Sequence, residues 1–302
     1  MSKATKNKTL VIIAALTAFL VLSCGSDDAS PTSGDDDGGG TGGGDVSMTI
    51  DHTCCDISAV PRSAIQGAID NLHIAYGHTS HGSQLTTGMD GLADFLDDDL
   101  YNHSNGGAGG TLDLHDYAFN PYGAYDLGSA TWPAATRSYL DANPDVNVVI
   151  WSWCGQVSSA DASYIDAYLS SMKGLETDYP GVMFVYMTGH LNGSGESGNL
   201  HVRNEMIRSY CEANDKILYD FADIESYDPD GAYYLDMAAN DACEYDSDGN
   251  GSHDSNWAIN WQGANAGEWY SCSSAHSQPL NANRKAYAAW HLWARLGGWD
   301  GE

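Results

Sequence analysis

The chain has 302 residues, of which 42% are hydrophobic, so it is long enough for one large domain with a substantial core. Its formal charge is −29 at neutral pH, and only 12 residues are lysine or arginine. A surface with this charge repels phosphate backbones and anionic lipids, which excludes nucleic acid and lipid surfaces as partners of the folded part.

Residues 1–23 are typical of a signal peptide. Three lysines precede the apolar run LVIIAALTAFLVL, which is short for a membrane span. The run ends in VLSC, where a small residue directly before Cys24 resembles a bacterial lipobox, in which this cysteine is lipidated after cleavage. An ordinary secretory signal is the alternative. We expect an exported lipoprotein, on the periplasmic or extracellular face, that touches the membrane only through its lipid anchor.

Residues 24–45 contain no apolar residue beyond alanine and many glycines and aspartates, which predicts a flexible tether. A single folded domain is expected over residues 46–302. Six cysteines remain beyond Cys24, and an even number in an exported chain favours disulfides. Cys243 and Cys272 flank one irregular segment and are the first pair we expect.

Beyond residue 70, strand and helix patterns alternate along the chain. Apolar runs predict strands over 72–76, 146–153, 182–188 and 216–224, and helical spacing predicts helices over 85–100, 159–179, 199–214 and 281–298. This order predicts a three-layer α/β fold, with a mostly parallel sheet and helices on both faces. The stretches 101–135 and 225–275 are expected to be long decorated loops.

Polar residues follow each predicted strand. The segments GHTSHG, CGQ, TGHLNG and DFAD begin where the four strands end, and the loop before the last helix holds His276. Ligands of an open parallel sheet bind beyond the carboxyl ends of its strands, so these side chains should share one rim. Such rims are polar whether or not they bind a ligand, so position alone does not establish a function.

One set of these residues has the chemistry of a serine hydrolase. Ser80 would lie near a helix N-terminus, where backbone N–H groups favour developing negative charge. His276 could accept the serine proton and return it to the leaving group. Gly155 and Gln156 supply a glycine and an amide side chain for an oxyanion hole.

In order and spacing, residues 70–300 resemble the SGNH/GDSL hydrolase superfamily. GHTSHG stands where the family has Gly-Asp-Ser, and it is similar to a variant branch that reads His-x-Ser-x-Gly. The resemblance implies that Ser80 is the nucleophile, with Thr79 as the competing alignment, and that His276 is the base. It also implies that Gly128 and Gln156, together with backbone N–H groups, hold the oxyanion.

The resemblance leaves the acid of the triad open. Ser273 stands where the family has aspartate, so it orients His276, or Asp220 or Asp223 substitutes, or the site is a Ser–His dyad. The implied activity is ester hydrolysis, on a small ester or an acylated saccharide, without a cofactor for catalysis. The alternative is a non-catalytic lipoprotein of the same fold that binds carbohydrate or peptide. The expected substrate-binding residues are His78, His81, His190, Asn192 and Trp269.

Two metal sites are further hypotheses. His78 and His81 are three residues apart and His190 could join them, which would suit zinc and a metal-dependent hydrolase. The segment DSDGNGSHD matches part of a calcium loop. The matching residues are Asp246, Asp248, Asn250 and Asp254, with Gly251 at the turn position and Trp257 in place of the final glutamate. The segment has two interpretations: it binds a structural Ca²⁺, or it is a solvated turn.

The tryptophans divide into two groups. Trp151, Trp153, Trp290 and Trp293 lie in strand or helix patterns and are expected in the core. Those of the 257–270 segment, Trp269 among them, either stack on sugar rings or pack this segment against the sheet.

Overall fold

A seven-stranded parallel sheet forms the centre of the computed structural model, which describes residues 48–301. Its strands are β1 (Met48–Ile50), β2 (His73–Gly77), β3 (His103–Ser104), β4 (Leu112–His115), β5 (Val148–Trp151), β6 (Met183–Met187) and β7 (Ile217–Tyr219). Their order across the sheet is β1-β7-β6-β5-β2-β4-β3. The predicted signal peptide, Cys24 and the tether lie outside the described residues.

Helices cover both faces of this sheet, which confirms the predicted three-layer α/β fold. They are α1 (Arg62–Asn71), α2 (Ser83–Leu96), α3 (Trp132–Ala142), α4 (Ala162–Asp178), α5 (Asn199–Ala213), α6 (Phe221–Ser226), α7 (Trp257–Ala264) and α8 (Pro279–Leu296). One core is shared with α1, α2 and α8, and the other with α3, α4 and α5. Within residues 48–301, no helix combines the length and the apolarity that a membrane span needs.

The central strand β5 explains why its sequence is an unbroken apolar run. Val148 and Ile150 belong to the core shared with α1, α2 and α8, whereas Val149 and Trp151 belong to the opposite core. Successive side chains of a strand point to opposite faces, so a strand buried on both faces has no polar position. The four tryptophans expected in the core are buried, as predicted: Trp151, Trp153, Trp290 and Trp293.

Two boundaries predicted from the sequence are wrong. Residues 216–224 were expected to form one strand, but β7 ends at Tyr219 and α6 begins at Phe221. The Asp220 side chain accepts a hydrogen bond from the Asp223 backbone N–H at 3.2 Å, and aspartate favours a helix start at this position. The stretch 101–135 was expected to be a loop, yet it contains β3 and β4, and β4 pairs with β2.

The stretch 225–275 is largely irregular, as expected, but it contains α7 and a short hairpin of β8 (Glu244–Tyr245) and β9 (Ser255–Asn256). The expected disulfide between Cys243 and Cys272 is absent from the described residues, whose six cysteines are free thiols. Cys243 Sγ lies 3.4 Å from Ser277 Oγ, while Cys272 Sγ lies 3.5 Å from Asn283 Nδ2. The two thiols therefore have different partners.

Candidate functional site

Three loops meet at the carboxyl edge of the sheet. His81 follows β2, Cys154 follows β5 and His190 follows β6, and β5 lies between the other two strands. The loop before α8 adds His276, whose ring stacks on His81 with 4.5 Å between centroids. Parallel strands all present their carboxyl ends at the same edge, so residues far apart in sequence become neighbours here.

The imidazoles of His81 and His190 are stacked face to face, with centroids 3.6 Å apart and an angle of 3° between their planes. Nδ1 of His190 lies 2.7 Å from the Leu191 carbonyl oxygen, to which it donates, so Nε2 keeps its lone pair. Burial lowers the pKa of His190, and the nearby His81 lowers it further. Both effects disfavour the protonated form of His190.

Asp241 completes this group from the long 225–275 stretch. His81 Nε2 lies 2.9 Å from Asp241 Oδ2. Burial raises the pKa of Asp241, but the hydrogen bond from His81 and the charges of the nearby histidines outweigh it, and the pKa lies below its usual range. An antiparallel bridge between Asn192 and Asn240 holds the Asp241 loop against the loop after β6.

Cys154 lies on the other side of the His81 ring. Its Sγ is 3.7 Å from His81 Nδ1, and the residue is half-buried. With His81 Nε2–H donating to Asp241, Nδ1 carries the lone pair that can accept the thiol proton. Cys154, His81 and Asp241 thus form a continuous chain of thiol, imidazole and carboxylate, an order of groups that can activate a thiol.

Ser80, the nucleophile expected from the sequence, is exposed beside this chain. Across residues 48–301, no hydrogen bond joins Ser80 Oγ to His276. His276 is exposed and has φ of +63°, a left-handed conformation that is uncommon for any residue with a Cβ. Ser80 is the residue before His81 in the sequence, and the His276 ring stacks on the His81 ring.

The two aspartates considered as triad acids have other partners. Asp220 accepts from Arg208 Nε at 2.6 Å and Nη2 at 2.8 Å, and from Thr188 Oγ1 at 2.8 Å. Asp223 lies 2.5 Å from His52 Nδ1. Within the described part of the chain, neither carboxylate is hydrogen-bonded to His276, and Ser273 is an exposed loop residue without a hydrogen bond to that ring.

Gly128 and Gln156, which were expected to hold the oxyanion, donate to the buried carboxylate of Asp126, as does Thr79, the competing nucleophile. The carboxylate accepts from the Gly128 N–H at 2.8 Å, from Thr79 Oγ1 at 2.9 Å, and from Gln156 Nε2 at 3.4 Å. A Cβ at Gly128 would lie 2.1 Å from Gln156 Nε2, so a side chain there would displace the Gln156 amide. Because these donors already serve an anionic group, a second negative charge beside them would be repelled.

The remaining residues expected to bind substrate lie in separate environments. His78 is fully buried, with Nε2 2.5 Å from Asp116 Oδ1 and its ring between Tyr76 and Tyr117. Asn192 is exposed, and its Oδ1 accepts from Ser194 Oγ at 2.6 Å. Trp269 packs around Trp257 and Leu280, and its indole N–H donates to the Gln262 carbonyl oxygen, so it helps to hold its own loop.

His81, His190 and Asp241 also have the geometry of a metal site. One ligand atom from each residue lies within 4.8 Å of the other two. Two imidazoles and a carboxylate are a ligand set that zinc accepts. His78, which the sequence grouped with them, instead directs both ring nitrogens at Asp116 and the Thr79 carbonyl oxygen. A second such group is Asp51, His52 and Asp223.

The calcium-like segment forms the turn between β8 and β9. The Asp246 carboxylate accepts backbone N–H groups from Gly249, Asn250 and Gly251, at 2.7 to 3.1 Å. The bond from Gly251 is the main cause of the lowered pKa of Asp246. Asp254 Oδ1 accepts from the Ser247 N–H at 3.0 Å, and Asp248 Oδ1 and Asn250 Oδ1 accept from backbone N–H groups within the turn. These carboxylates therefore stabilise the turn themselves.

Sequence reasoning did not identify Asp241 or Cys154 as candidate site residues. Asp241 lies in an irregular stretch without periodicity, so no local pattern marks it. Cys154 lies three residues beyond the end of the buried strand β5, and that position was the only signal available for it. No protein-family model matches the chain, and a search of curated proteins finds no match either.

Proposed function

We propose that this protein is a hydrolase that cleaves an ester through a covalent intermediate on Cys154. His81 is the general base and then the general acid, and Asp241 orients it and stabilises its charged form. The observation that carries the proposal is the chain of contacts through one imidazole, with 3.7 Å from Cys154 Sγ to His81 Nδ1 and 2.9 Å from His81 Nε2 to Asp241 Oδ2.

The reaction proceeds in two halves. His81 Nδ1 takes the thiol proton as Cys154 Sγ attacks the ester carbonyl, and the resulting oxyanion collapses to a thioester. The alcohol leaves with the proton from His81. A water molecule then gives a proton to His81 and attacks the thioester, and the carboxylic acid departs as His81 returns the proton to Sγ.

Backbone groups beside Cys154 are suited to the oxyanion. The N–H groups of Gly155 and Gln156 donate to no acceptor among residues 48–301, and Gly155 is exposed. Donors aimed at the developing charge commonly contribute a factor of about 10² to 10³ in rate. A groove of about 330 Å³, lined by Gln156, Ser159, Ala160, Asp161 and Tyr164, begins next to them and offers room for a substrate.

The proposed substrate class and location rest on sequence features. The SGNH-like order of elements supports a small ester or an acylated saccharide as substrate, and the lipobox-like start supports an exported lipoprotein on a membrane or cell surface. The alternative is a non-catalytic binding protein of the same fold. A wild-type protein with no esterase activity would favour it.

The test is hydrolysis of short-chain aryl esters by four forms of the protein. Cys154→Ala should lower kcat/KM by about 10³-fold or more, since the nucleophile is lost. Ser80→Ala and Cys272→Ala, the latter a half-buried cysteine elsewhere, should keep activity within a few-fold. Mass spectrometry of the wild type should detect an acyl group on Cys154. Full activity in Cys154→Ala together with none in Ser80→Ala would instead establish the serine mechanism expected from the sequence.

A metal-dependent hydrolase is a second candidate, because the ligand atoms of His81, His190 and Asp241 lie within 4.8 Å of one another. In that case a chelator should abolish activity and added Zn²⁺ should restore it, and Cys154→Ala should remain active. Under the thiol mechanism a chelator has no effect, and iodoacetamide inactivates the enzyme.

A further inference from the structure

A second groove, of about 480 Å³, lies away from the Cys154 chain. It is bordered by the turn after β1, by the segment after α6, by α7 with the segment that follows it, and by α8. The lining residues used below are Trp261, Glu268, Arg284 and the three aspartates Asp56, Asp228 and Asp230. A volume of this size is typical of small-molecule sites.

Arg284, on α8, is the unusual residue of this groove. Only 4% of its surface is exposed, and its Nε and Nη2 atoms are shielded from solvent without a hydrogen-bond partner. No carboxylate in residues 48–301 forms an ion pair with it. A buried guanidinium without a partner is energetically costly, so a charge of this kind indicates a missing anion.

Two other arginines of the protein show what the edge of a guanidinium formed by Nε and Nη2 binds. Arg208 directs Nε and Nη2 at the two carboxylate oxygens of Asp220, at 2.6 and 2.8 Å. Arg137 directs the same edge at Asp178, at 2.8 and 2.6 Å. Arg284 carries the same pair of donors with no carboxylate in the described residues, and to pair with a ligand in the groove the side chain has to turn this shielded edge toward it.

The acidic residues of the groove are committed to other donors. Asp56 accepts from Ser58, Asp228 accepts from the Asp230 and Ala232 N–H groups and from Tyr234, and Asp230 Oδ2 accepts from Trp261 Nε1 at 3.1 Å. They therefore do not neutralise Arg284 by direct contact. Their field disfavours a ligand that carries several negative charges, such as a phosphate dianion, more strongly than it disfavours a single carboxylate.

The rest of the lining fits the ring of a sugar. The half-buried Trp261 lines the groove, and an indole can stack on the apolar C–H face of a pyranose. Glu268 is exposed at the same groove and can accept hydrogen bonds from hydroxyl groups. We propose that this groove binds a sugar acid of the uronic acid class, whose carboxylate pairs with the Nε–Nη2 edge of Arg284. The site does not depend on the esterase proposed above.

Isothermal titration calorimetry on the full chain tests the site, with glucuronate as the probe. Saturable binding of glucuronate is expected, with glucose and inorganic phosphate at least tenfold weaker, because glucose lacks the carboxylate and phosphate carries too much charge. Arg284→Gln should weaken glucuronate binding at least tenfold. Arg137→Gln, which removes a surface arginine from α3, is the matched control and should bind as the wild type does.

Two further variants keep the test decisive if Arg284→Gln misfolds. Trp261→Leu should weaken glucuronate at least threefold while acetate, which has no ring, binds unchanged. Glu268→Gln should leave the melting temperature within about 1 °C. The proposal is overturned by the absence of saturable glucuronate binding, by equal affinity for glucose, or by tighter binding of phosphate. A marked loss of stability in Glu268→Gln would also overturn it, since Glu268 would then be the counterion of Arg284.

Discussion

Lys285 Nζ lies 2.5 Å from Glu225 Oε1, and the two side chains are 0% and 1% exposed. The ammonium group also contacts Gln84 Oε1 and lies 3.6 Å from the centre of the Phe221 ring. Glu225 Oε2 accepts the Leu191 N–H at 2.8 Å. This buried ion pair therefore joins α2, α6 and α8 to the loop that carries His190, beneath the candidate site.

Removal of one partner of this pair should destabilise the protein strongly. In Lys285→Met, the Glu225 carboxylate stays buried without its cation, and we expect a loss of about 3–5 kcal/mol in the free energy of unfolding. The double variant Lys285→Met/Glu225→Gln should regain much of this loss, because the neutral amide still accepts the Leu191 N–H. Denaturant titration measures both, with the exposed Lys173→Met as control. Equal losses in the single and the double variant would contradict this account.

The contact between α2 and α8 depends on the absence of a side chain at Gly88. A Cβ there would lie 2.2 Å from the Ala282 backbone oxygen, which cannot move without displacing α8. Gly88→Ala should therefore lower the free energy of unfolding by about 1–3 kcal/mol.

Gly174, on α4, is the matched control for that substitution. A Cβ at this position meets only Arg137 Nη2, at 3.6 Å, which is ordinary contact. Gly174→Ala should raise stability by up to about 1 kcal/mol through helix propensity alone. Thermal or urea unfolding measures both variants. A rise in stability in Gly88→Ala as well as in Gly174→Ala would show that the α2–α8 contact tolerates a methyl group.

His190 should make stability depend on pH in the acidic range. Burial lowers its pKa below the ordinary value of 6.5, so the unfolded chain takes up a proton before the folded chain does. The contribution of neutral His190 to the free energy of unfolding is complete above pH 6.5 and is lost as the pH falls through the lowered pKa. The loss is about 1.4 kcal/mol for each pH unit by which the pKa is lowered.

The His190→Gln variant isolates this contribution. The difference in unfolding free energy between pH 7.5 and pH 5 should be smaller in the variant than in the wild type. His291, whose pKa burial also lowers, keeps its own share in both proteins. An unchanged pH profile would mean that His190 is not held neutral by its surroundings.

Asp241→Asn should impair catalysis more than its small change of shape suggests. The amide can donate to His81 Nε2, which would place the remaining ring proton on Nδ1 and remove the lone pair that accepts the Cys154 proton. We expect kcat/KM for an aryl ester to fall by about 10²- to 10⁴-fold. Asp246→Asn, in the β8–β9 turn, should leave the rate within a few-fold. Comparable rates for Asp241→Asn and the wild type would remove Asp241 from the mechanism.

The positions of several site residues were predictable because they follow from local patterns. A short apolar run such as 182–188 favours a strand buried between two helical layers, and the residues after such a strand, including His190, lie at the carboxyl edge. The grouping of His81 and His190 at one edge follows from this rule, whereas His276 lies in the loop before α8. The rule does not predict which side chains at this edge form hydrogen bonds with one another.

The partners within the site were decided by the tertiary structure. The sequence marks Ser80 and His276 through the resemblance to a family, but it contains no signal for Asp241, which is 160 residues from His81 and reaches it through the bridge between Asn192 and Asn240. Likewise, nothing local indicates that Arg208 neutralises Asp220 while Arg284 is buried without a partner. The sequence by itself determined the parallel sheet and its polar edge, since both depend on short-range periodicity. Which base meets which nucleophile depends on loop contacts between residues far apart in the chain, and these exist only once the layers have packed.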